Sequence, residues 1–220
     1  MQDILPEARL KKKELVGAAG LGIHISRPLQ DAARVLGVPV PPVYVREEAE
    51  AGVTPSYAAD GPALVVSLSK LTDCSAPELR FIFGRALSLL SAGALAVTSL
   101  PPEALREALA GLAKLPDPSA AFAEAKAAKR RGRALEKALA AEQRADLAVQ
   151  AATWLSAPDR ASLCEAQQDA LRAAERAGLI VSGSLQTALQ TLRLLSGDRM
   201  ERRWRMPLLR LAATRDYAGM

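Results

Sequence analysis

The chain has 220 residues, half of them apolar but only 4% aromatic, and carries a net charge of +5. That is enough for one good-sized buried core or two small ones. No apolar run approaches the roughly 20 residues that cross a bilayer, which argues against an integral membrane protein.

Histidine and cysteine narrow the chemistry. The single histidine, His24, excludes a multi-histidine zinc or proton-shuttling site. Cys74 and Cys164 match no metal-binding spacing and read as free thiols, so a cytoplasmic location is expected.

At the start, Lys11, Lys12 and Lys13 follow a short mixed segment and no apolar stretch comes after them, so no signal peptide is expected. The run Gly17 to Gly22 has no convincing strand before it and no Lys-Ser/Thr after it. It is therefore not a phosphate loop. His24 lies in an apolar segment read as extended, and is a core or edge histidine rather than a catalytic one. Residues 1–27 are taken as an N-terminal segment and 28–220 as a single domain.

Pro28 to Gly37 reads as a short helix. Proline sits at its start, Leu29, Ala32, Ala33 and Leu36 recur at helical spacing, and glycine closes it. The prolines of Val38 to Glu47 forbid helix, and Val43-Tyr44-Val45 reads as an edge strand. A loop through Gly52, Pro55 and Gly61-Pro62 leads to a second strand, Ala63 to Leu68. One small sheet of two or three short strands near residues 42–68 is expected, a hairpin being one arrangement open to it.

The rest reads as helix, because Ala and Leu lose little side-chain freedom there. Ser75-Ala76-Pro77-Glu78 is a capping box opening a helix to about Ala92, stopped by Gly93. Pro101-Pro102-Glu103 opens another, to about Leu115. An Ala-rich helical stretch runs from Ser119 to about Leu155. Ser156-Ala157-Pro158-Asp159 opens a helix to about Ile180, and Ser184–Leu195 and Arg199–Ala213 complete the chain. The prolines at 116 and 118 mark the best internal boundary, but neither half has an obviously complete core. The fold class is α+β, predominantly α-helical.

The order helix, Pro-rich strand, Gly/Pro loop, Val-rich strand, then a helix opening Glu78-Leu79-Arg80-Phe81-Ile82-Phe83-Gly84-Arg85, resembles the core of zinc metallopeptidases of the HtpX and CAAX-prenyl-protease class. In those enzymes the corresponding helix carries H-E-x-x-H after a stretch of the form E-L-x-x-V-L-A. The resemblance places the first ligand on Arg85, the general base on Ala86 and the second ligand on Leu89. The family's third ligand is a Glu four residues before the Asp of an A-D-R-x-G stretch. Ala174-Glu175-Arg176-Ala177-Gly178-Leu179 is similar to that stretch, so the ligand position falls on Leu171. Zinc hydrolysis needs two nitrogens on one helix face and a carboxylate to deprotonate the bound water. Guanidinium and hydrocarbon offer neither. The resemblance therefore implies a metallopeptidase-like fold over roughly residues 28–195 with its zinc site lost, no cofactor and no peptidase activity.

Charge is uneven. Residues 121–220 hold 17 basic and 11 acidic side chains, against 12 and 13 in residues 1–120. Lys126, Lys129, Arg130, Arg131 and Arg133 form the densest run, which could track phosphates. It could equally be a solvated helix face, since Glu124, Glu136 and Glu142 stand nearby and no aromatics interleave to stack bases. Arg202, Arg203 and Arg205 surround Trp204, either an interface anchor or a tryptophan packing the last helix.

Three functions are compatible with these features. The first is a non-catalytic scaffold binding another protein or an acidic peptide, because binding by strand addition needs a sheet edge and no metal. The second is a nucleic-acid-binding or regulatory module using the basic half. The third is an enzyme of another kind, with Arg85 or Glu175 as its polar candidates.

Overall fold

The computed structural model describes residues 10–47, 52–58, 61–113, 141–156, 163–196 and 208–213. The chain is α+β and mostly helical, with one small four-stranded sheet. It divides into two compact units. One comprises Met1–Pro6 and Ala96–Asp169, the other Glu7–Leu95 and Ala170–Met220. The divisions thus fall at residues 6/7, 95/96 and 169/170.

The second, larger unit holds the sheet. Its strands are β1 (Leu15–Val16), β2 (Val43–Val45), β3 (Val53–Ala58) and β4 (Gly61–Val66), in the spatial order β1-β2-β4-β3. The two strands read from the sequence, β2 and β4, do not form a hairpin: they run parallel, with Val43 opposite Leu64 and Val45 opposite Val66. The antiparallel partner of β4 is β3, which occupies the segment read as a loop because of Pro55.

Register explains how that proline is tolerated. Ser67 N donates to Gly52 O at 3.0 Å, and Val53 stands opposite Val66. Backbone groups alternate in direction along an antiparallel strand, so Thr54, Ser56 and Ala58 turn theirs toward β4. Val53, Pro55 and Tyr57 turn theirs away. Pro55 therefore lacks an N–H only where no ladder bond needs one, as edge prolines do.

Helix α1 (Ile23–Leu36) starts five residues before the expected Pro28, which lies inside it. His24 is accordingly helical and exposed, not in an extended segment. The predicted stops at Gly37 and Gly93 hold, because both adopt positive φ, 66° and 62°. Val38 N and Ala94 N then reach back to Ala33 O and Leu89 O, each at 3.0 Å.

After the single turn α2 (Leu68–Leu71), α3 (Ala76–Ser91) begins at the predicted capping box. Glu78 Oε2 accepts from Ser75 N at 2.7 Å and from Ser75 Oγ at 2.6 Å. The main core forms where Leu29, Ala32 and Ala33 of α1 and Leu79, Phe83, Ala86, Leu87 and Leu90 of α3 meet Val43, Val53, Leu64 and Val66 of the sheet.

In the first unit, most of α4 (Leu95–Ser99) precedes α5 (Pro102–Ala113), which packs on α6 (Ala141–Ser156). Small residues allow the close approach: Ala104, Ala108, Ala148 and Ala151 are all buried. Helix α7 (Leu163–Ser182) follows, and its first turns belong to this unit. There Gln167 Nε2 donates to Val97 O at 2.7 Å and Leu100 O at 2.6 Å, satisfying carbonyls at and just beyond the end of α4.

The remainder of α7, with α8 (Leu185–Ser196) and helical residues 208–212, returns to the larger unit. These build a second cluster that joins Phe81 of α3 with Leu179, Ala188, Leu192 and Leu208. Helix α3 is thus apolar on two sides. Among the described residues, no helix is long and apolar enough to cross a membrane.

Candidate functional site

Helix α3 carries the site because it is covered from both sides and its backbone is nearly touched by α7. Two glycines make that possible. A Cβ added at Gly178 would stand 2.8 Å from Phe81 O, and one at Gly84 would stand 3.1 Å from Gly178 Cα and 3.0 Å from Val181 Cβ. No larger residue fits at Gly178 without moving the α3 backbone. Glycine inside a helix costs about 1 kcal/mol relative to alanine, and here that cost permits the close crossing.

The crossing brings two ionisable side chains into each other's field. Glu175, one turn before Gly178, is 4% exposed, and among the described residues its Oε2 has no hydrogen-bond partner. Arg85, directly after Gly84, has its Nε buried and likewise unpartnered, as is Nε of Arg80 one turn earlier. Burial pushes the Glu175 carboxyl up to about 7, against the opposing pull of Arg85 and Arg172. Burial also lowers Arg85 below the usual guanidinium range, with Glu175 opposing. Each charge sits in the other's field, but each keeps a polar atom unsatisfied.

The positions singled out by the metallopeptidase resemblance lie on these two helices. Arg85 is at the crossing, Ala86 and Leu89 are buried along α3, and Leu171 is half-buried one turn before Glu175 on the same side of α7. Ala86 packs into the main core. Among the described residues, no group of three or more His, Cys, Asp or Glu side chains is placed to hold a metal ion.

Beside α3 runs β3, at the end of the sheet. Among the described residues it is paired on one side only. Its free side presents the carbonyls of Val53, Pro55 and Tyr57 and the N–H groups of Val53 and Tyr57.

Lys126, Lys129, Arg130, Arg131, Arg133, Arg202, Arg203, Trp204 and Arg205 all lie outside the described residues. Cys74 and Cys164 are free thiols, and burial with the nearby Glu78 and Asp73 raises Cys74 above its ordinary range. From the sequence, Arg85 is the first-ligand position of the resemblance and, with Glu175, a polar candidate, and the resemblance implies that their two helices meet; the encounter of these two side chains with each other is not foreseen. The available signal was the pair of glycines inside otherwise strong helical patterns, Gly84 and Gly178. Comparison of the chain with protein-family models, curated proteins and solved structures found no match.

Proposed function

We propose that this chain is a non-catalytic protein-binding domain, metallopeptidase-like in plan but without zinc ligands, that holds an extended segment of a partner along β3. The observation that carries this reading is the outward row of β3, with two donors and three acceptors on a strand paired on one side only among the described residues. An extended peptide adding there gains main-chain hydrogen bonds irrespective of its sequence. Two further features support the reading. The helix beside that edge is the one on which the resemblance places the lost ligands, and the helix bearing Leu171 crosses it. Arginine, alanine and leucine at those positions supply neither a lone pair for zinc nor a base.

The test is a screen of the full chain against a library of unstructured peptides, followed by titration of hits into nitrogen-15-labelled protein. Binders should shift the Val53 and Tyr57 amides and slow their exchange with solvent. N-methylation of alternate peptide amides should abolish binding in one frame and spare it in the other. Hits that leave these amides unmoved, or that tolerate N-methylation in both frames, would refute the docking strand.

A further inference from the structure

The buried carboxyl of Glu175 plays no part in peptide docking, yet the fold keeps it at a helix crossing where an apolar residue of similar size would pack without an unmade hydrogen bond. Its setting is constrained. Gly178 holds α7 against the α3 backbone at Phe81, so the two helices cannot slide to bring Glu175 and Arg85 into better register without breaking that contact. Among the described residues, Oε2 of Glu175 and Nε of Arg85 are both left without hydrogen-bond partners. A carboxyl this deeply buried is stable when neutral and strained when charged.

Among the described residues, the groups facing it are few. Arg85 acts from α3 and Arg172 from α7 itself, and both favour the charged form. Arg80 of α3 has a buried, unpartnered Nε. The arginines on the other elements packed here, Arg193 of α8 and Arg210 of residues 208–212, are exposed. Two nearby cations thus fail to overcome the burial of the carboxyl.

We propose that the α3–α7 crossing is a proton-operated latch: a proton on Glu175 seats α7 firmly on α3, and its loss loosens that contact. The sign follows from linkage. A carboxyl raised in the folded state to about 7 is fully stabilising while protonated in both states, and that stability is lost as pH climbs from the ordinary carboxylate range through neutrality. Arginine stays charged throughout this window, so it contributes no titration of its own.

The experiment compares urea unfolding of the full chain and of Glu175→Gln between about pH 5.5 and about pH 8.5. The wild-type folded-to-unfolded ratio should fall roughly thirtyfold across this window, and Glu175→Gln should lack that fall. Amide exchange, corrected for intrinsic rates, should accelerate with pH in residues 170–182 of the wild type ahead of the main core. If the glutamine variant does not fold, carbon-13 titration of the wild-type Glu175 carboxyl decides alone. A midpoint near neutrality supports the latch. A midpoint in the ordinary carboxylate range, or a glutamine variant as pH-dependent as the wild type, overturns it.

Discussion

At the scale of single residues, the decisive contacts are those where an added or deleted atom has nowhere to go. Gly178→Ala places a methyl 2.8 Å from Phe81 O, which is backbone and cannot rotate away. Overpacking of this kind costs about 1–3 kcal/mol, and alanine's better helix propensity returns only about 1 of it. The variant should therefore unfold at lower urea with an unchanged slope, and a gain in stability would show that the helices do not cross so closely. Glu78→Ala removes the carboxylate that accepts both Ser75 groups and should cost about 1 kcal/mol, measured the same way. That cap was legible in the sequence because a capping box is a local pattern. The Arg85–Glu175 encounter was not, because it depends on how two helices 90 residues apart pack.

At the scale of elements, the longer helices among the described residues followed from local patterns, whereas the short α2 and α4 and the strand pairing did not. Gly37 and Gly93 ended their helices where expected, since a left-handed terminus needs no tertiary context. Helix α1 began early because Ile25 and Ser26 are buried ahead of Pro28, so packing extends the helix past the point where proline alone would start it. Strand β3 was unreadable for a related reason. Proline argues against a strand unless its register is known, and register is a long-range property. The same geometry yields a prediction. Pro55→Val restores an outward N–H to the free edge and should raise self-association in light scattering, with little change in urea midpoint. An unchanged scattering profile would mean the edge is already covered. Phe83, fully buried between α1, α3 and the sheet, should cost about 3–5 kcal/mol when changed to Ala.

For the molecule as a whole, composition carried the fold class, because an Ala- and Leu-rich chain with few aromatics forms helices and spares only a small sheet. Function was less legible, since the proposed docking site is backbone at a sheet edge and the proposed latch is an encounter of side chains on two helices distant in sequence, neither of which forms a sequence motif. The proposed kinship with metallopeptidases rests on the positions to which the resemblance assigns the zinc ligands and the base: Arg85, Ala86 and Leu89 on α3 and Leu171 on α7. Equilibrium dialysis of the purified full chain against zinc, followed by metal analysis after removal of excess ion, tests this most directly. If the proposal holds, retained zinc should stay far below one ion per chain. One tightly held zinc per chain, lost when either α3 or α7 is altered at these positions, would contradict it.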